Sequence, residues 1–103
     1  MNERRKSRLL ARIEGQLAFI DLRPQARARH ERRVDEAVTR LRGLLGDRKE
    51  RRRLEHLETL LSYSRDDGQP ADTCVHWRLL ARVDCLVWQM HLRHESPAHE
   101  AAA

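Results

Sequence analysis

Cys74, Cys85, His91 and His94 are the side chains most readily recruited for chemistry, and all four fall within the stretch 74–94. Cys74 sits at the start of a predicted helix, where the macrodipole favours a thiolate. Cys85 follows eleven residues later, about 16 Å along a rigid helix at ~1.5 Å per residue, so the two cannot form a disulfide with each other. The alternative for both is a small buried filler. His91 and His94 are spaced i,i+3 and could share a metal, but a complete site needs further ligands and Cys85 points away from His91. There is no glycine-rich phosphate loop, nucleophile elbow, Cys-x-x-Cys pair or His-Glu-x-x-His motif. Catalysis, a resident metal and other cofactors are therefore not expected.

Arginine is the other chemistry on offer. Residues 1–53 hold 17 basic and 8 acidic side chains, and residues 54–103 hold 4 and 8, so a half of +9 is joined to a half of −4. Lys6 and Lys49 are the only lysines. Guanidinium forks suit carboxylate or phosphate, although a GC-rich genome produces the same bias without a functional cause. Arg4, Arg5, Arg8 and Arg12 lie along the first predicted helix, and Arg48, Arg51, Arg52 and Arg53 crowd the start of the third. Cations in a first turn oppose the macrodipole, and an anion bound there would relieve that cost. These eight are the candidate contacts to nucleic acid or to an acidic partner. The alternative is a solvated basic face, with Asp47 and Glu50 already compensating the third helix.

Two short segments bear on the histidines. Arg12–Leu17 resembles the N-terminal helix of the copper- and nickel-responsive CsoR/RcnR repressors, and His91–His94 resembles the end of that family's metal-binding helix; together they cover about ten residues. The cysteine that the family places a few residues after His91 is absent, and more chain separates the two segments than in the family. No metal ligand carries over.

The elements that must position these residues follow from spacing. With 103 residues, 36% charged and 40% hydrophobic, the chain has room for one core. No apolar run approaches the roughly 18 residues of a membrane span. Met1–Lys6 lacks an apolar leader segment and there are two cysteines, so a reducing cytoplasm is the expected setting. Leu10, Ile13, Leu17 and Ile20 predict a helix over about 2–22, stopped by Pro24, which can open the next. Val34, Val38, Leu41 and Leu45 predict a second, supported by a Glu36–Arg40 pair at i,i+4 and weakened by Gly43 and Gly46. Asp47 and Glu50 resemble a capping box for a third helix carrying Leu54, Leu57, Leu60 and Leu61. Residues 64–71 predict a loop, after which Asp72 or Thr73 caps a fourth helix running to about His94. The expected fold is all-α, a small bundle of about four helices over 1–94 completed by homodimerisation, with 95–103 as a flexible tail.

The fourth helix is apolar on two sides. Val75, Leu79, Val83, Leu86 and Met90 fall on one, and Trp77, Ala81, Trp88 and Leu92 nearly opposite. Arg78, Arg82, Gln89 and Arg93 are left as the stripe for water. Trp77 and Trp88 stack on one line, and such residues are either monomer core or interface anchors. Trp77, Ala81, Trp88 and Leu92 are taken as the candidate partner-binding face. Asp84 lies between the two faces and calls for an arginine or His91 as partner, making Asp84 and His91 a candidate buried polar pair. Together these features point to a small regulatory protein, an adaptor or anti-activator that binds itself and another protein through helix packing. The alternative is a nucleic-acid-binding regulator using the basic half. Glu3, Glu14 and Asp21 on the first helix argue against a membrane surface.

Overall fold

The computed structural model describes residues 2–95; the expected tail over 96–103 lies outside them. Among the described residues there are four α-helices and no strand: α1 Glu3–Leu22, α2 Arg27–Leu44, α3 Arg48–Ser64 and α4 Ala71–Glu95. Each boundary has a local cause. Pro24 stops α1 as expected, but it opens a separate 3-10 turn, Pro24–Ala26, before α2 begins. Asp47 caps α3, its Oδ1 accepting the Glu50 N–H at 2.7 Å. The cap of α4 lies earlier than expected. The Pro70 carbonyl accepts the N–H groups of Thr73 and Cys74, and Asp72, already inside the helix, accepts only its neighbour Thr73.

The helices run up-down-up-down in an elongated bundle, 47 × 25 × 20 Å. α1 packs between α2 and α4, and α3 packs on α4. The α2–α3 seam is closed by longer side chains, Arg42 to Glu58 at 2.7 Å and Arg65 to Asp35 at 2.8 Å. The expected stripes build the core: Leu10, Ile13 and Leu17 of α1, Val34 and Leu41 of α2, and Leu54 and Leu57 of α3 are essentially inaccessible. On the α1–α2 seam His30 is buried, its ring stacked on Phe19 and its Nδ1–H donating to Gln16 Oε1 at 2.6 Å. Lys6, also buried, pairs with Glu50 at 2.8 Å and ties the starts of α1 and α3. The Glu36–Arg40 pair does not form among the described residues; both side chains are exposed, where water competes with an isolated pair.

This topology has an electrostatic consequence. The start of α1, the end of α2, the start of α3 and the end of α4 share one end of the bundle. Arg4, Arg5, Arg8, Arg12, Arg40, Arg42, Arg48, Lys49, Arg51, Arg52 and Arg93 therefore gather there with fewer carboxylates, Glu3, Glu36, Asp47 and Glu50 among them, whereas toward the other end Arg23, Arg27, Arg29, Arg32, Arg33 and Arg65 are offset by Asp21, Glu31, Asp35, Asp66, Asp67 and Asp72. The first end is net basic and the second close to neutral.

Candidate functional site

α4 has four sides, and each does something different. Its inner side carries Cys74, Ala81, Cys85, Trp88 and Leu92, all buried, with Trp77 half-buried against them. Ala81 and Cys85 are small enough for α4 to sit deep between α1 and α3, and burial pushes the Cys85 thiol up, keeping it protonated and inert. The Cys74 thiol, also buried, donates to the Asp66 carbonyl at 3.5 Å. The side facing α1 carries Arg78, whose Nη2 and Nε both reach Asp21 Oδ1 at 2.7 Å, and Arg82, paired with Glu14 at 2.9 Å. The side facing α3 carries Trp77 against Tyr63, with ring centres 4.8 Å apart, and Trp88 beneath the Arg53 guanidinium at 5.4 Å.

Three expectations change. Trp77, Ala81, Trp88 and Leu92 are core rather than a bare contact face: α1 and α3 suffice to cover that side of α4. Arg78, Arg82 and Gln89 are not a solvent stripe. Arg78 is buried, and Gln89, half-buried, donates to the Cys85 carbonyl; only Arg93 is exposed. Asp84 and His91 are not a pair either. His91 is exposed, whereas Asp84 is half-buried toward α3, its Oδ2 inaccessible and without a hydrogen-bond partner. Burial raises the Asp84 pKa, and the positive charges of Arg53 and His56 offset that only in part.

The fourth side faces away from the bundle and is the one left bare. Val75, Leu79, Leu80, Val83, Leu86, Val87 and Met90 are each 37–53% exposed. At ~100° per residue they span about 140° of the helix surface opposite the core. Between Leu79 and Met90 the only charges on α4 are Arg82, turned to α1, and Asp84, turned to α3. Charge returns at the ends, with Asp72 before the stripe and Arg93 after it, and neither joins an ion pair among the described residues. The bare apolar area is on the order of 500 Å², toward the top of the ~300–600 Å² typical of the largest patch on a monomer.

The candidate basic residues separate. Arg5, Arg8 and Arg12 line a groove between α1 and α2, joined there by Arg40, with Leu9, Gly43 and Leu44 as the remaining wall. Arg4 lies on the opposite flank of α1, beside Gln89, Leu92 and Arg93. Arg48, Arg51 and Arg52 are exposed on α3, whereas Arg53 is half-buried and laid over Trp88 with its Nε inaccessible. Arg40 was missed in sequence because it was assigned to a pair with Glu36. Its position seven residues before Asp47, and so at the same end of the bundle as Arg5 and Arg8, was the signal.

Among the described residues no three His, Cys, Asp or Glu side chains converge in a way that could hold a metal ion, and no helix is long and apolar enough to cross a membrane. No protein-family model, curated protein or solved structure matches the chain.

Proposed function

We propose that this chain is a small regulatory binding protein, without catalytic activity, that works by helix-mediated association through the outer face of α4, and that the occupant of this face is a second copy of the chain. The observation that carries the reading is the stripe of seven bare apolar side chains centred on Val83. Two such stripes laid together bury about 1,000 Å², the lower limit of a specific interface. An interface of that size exchanges readily, which suits a module whose helix face can pass from its own copy to an amphipathic helix of another protein.

End charges choose the orientation. In an antiparallel pair centred on Val83, Leu79 meets Val87, Leu80 meets Leu86, and Arg93 of each copy comes within about one helical turn of Asp72 of the other. A parallel pair would set Arg93 against Arg93.

Sedimentation of the wild type and of a Leu79→Glu/Leu86→Glu variant tests the reading. Glutamate is a good helix former and both positions are half exposed in the monomer, so the variant should melt within a few degrees of wild type and sediment as a monomer. The wild type should be dimeric at tens of micromolar. A wild type that stays monomeric at hundreds of micromolar would remove the second copy as occupant.

A further inference from the structure

Along the α1–α4 and α2–α3 seams arginines are matched with carboxylates: Arg78 with Asp21, Arg82 with Glu14, Arg42 with Glu58, Arg65 with Asp35. Arginines outside any ion pair among the described residues lie on several surfaces, Arg29, Arg32 and Arg33 of α2 and Arg48, Arg51 and Arg52 of α3 among them, but in the α1–α2 groove four share one concave wall. Arg5, Arg8, Arg12 and Arg40 line it, all four exposed, no carboxylate is in its wall, and none of the four joins an ion pair among the described residues. Four cations held side by side repel one another, a cost that a bound polyanion would reverse.

From this we infer that the α1–α2 groove binds the phosphate backbone of duplex nucleic acid, holding it without reading its sequence. The groups are all guanidiniums, which fork onto phosphate oxygens. Arg5 to Arg12 spans about 10 Å of helix at ~1.5 Å per residue, long enough to reach successive phosphates of a duplex, and Arg40 adds a fourth guanidinium from across the groove. The groove carries no aromatic side chain on which bases would stack, which favours a duplex over a single strand. An anionic membrane suits the site less well: interfacial helices need their basic and apolar surfaces on one side, and the bare apolar stripe lies on α4, which does not line this groove. For the same reason the inference is independent of the association proposed for α4.

The experiment is fluorescence anisotropy of a labelled random-sequence DNA duplex titrated with the full chain at 50 and 200 mM salt, repeated with vesicles containing phosphatidylserine. About four phosphate contacts give a slope of roughly −3.6 in log K against log salt, hence about a hundredfold weaker binding across that range. An Arg8→Ala/Arg12→Ala/Arg40→Ala variant should bind more than tenfold more weakly at 50 mM and lose most of the slope. The matched control, Arg29→Ala/Arg32→Ala/Arg33→Ala, removes the same charge from the other end of α2 and should lose less than threefold. Circular dichroism on both variants checks that the bundle is intact, and an Arg→Lys version of the groove triple reports on folding with charge retained. Equal losses from the two triples would overturn the site in favour of a diffuse basic surface. Absence of duplex binding at 50 mM, or tighter binding to the vesicles than to the duplex, would overturn the ligand.

Discussion

Asp84 is the residue at which the fold carries a visible cost. Its Oδ2 is inaccessible and unpartnered, and the nearest cations, Arg53 and His56 on α3, do not restore its normal pKa. A carboxyl whose folded pKa is raised favours the folded state only when protonated. Its contribution is therefore greatest at low pH and is lost as pH rises through the folded value, leaving the neutral-pH protein burdened by a half-buried charge. Asp84→Asn should raise stability at pH 7 by up to about 1 kcal/mol, the effect being limited by the solvent that still reaches the side chain. Melting curves at pH 7 and near pH 4 check this: the gain should be present at the higher pH and shrink at the lower. Much about this residue was legible in sequence, since its place between two apolar faces marked it as strained. Its neighbours were not: His91 lies about two turns away on the same helix, and Arg53 and His56 come near Asp84 only once α3 is laid against α4.

At the scale of elements, α4 decides what kind of molecule this is. The sequence made plain that the helix is apolar on two sides, but not which side the rest of the chain covers. Aromatic size favoured the tryptophan side as an anchor for a partner. Packing selects the same side for the core, because Ala81 and Cys85 flank the tryptophans and let α4 sink between α1 and α3. The two faces should therefore respond oppositely to substitution. Trp88→Ala leaves a large cavity and should cost about 3–5 kcal/mol of folding stability, whereas Leu79→Glu/Leu86→Glu should alter association with little change in melting. Chemical denaturation beside sedimentation separates the two effects. If Trp88→Ala instead left stability intact and abolished association, the assignment of faces would be inverted. The shorter elements were easier to read. Asp47 with Glu50, Pro24 and the three leucine stripes each declare a local geometry, and only the cap of α4 and the separate turn after Pro24 differ from expectation, both being set by proline backbone geometry within a residue or two.

For the molecule as a whole, up-down-up-down topology brings the arginine-rich starts of α1 and α3 and the end of α2 to one end, and places two unpartnered surfaces on different sides of the bundle: the apolar face of α4 and the arginine groove of α1 and α2. Pairing two copies through α4 leaves both grooves open, so a dimer would present two phosphate-contacting sites. The polarity of the chain was evident from counting residues. That Arg40 joins Arg5, Arg8 and Arg12, and that Arg53 lies over Trp88, required the helices to be placed against one another. Antiparallel pairing through the outer face of α4 is tested by a distance between spin labels on a His91→Cys variant, which leaves Asp72 and Arg93 in place, with Cys74 and Cys85 protected by burial. Eight residues from Val83 on each copy places the two labels about 24 Å apart along the helix axis at ~1.5 Å per residue. A narrow distribution near that value is the predicted result; labels close together, or no measurable intermolecular distance at dimer-forming concentration, would contradict it.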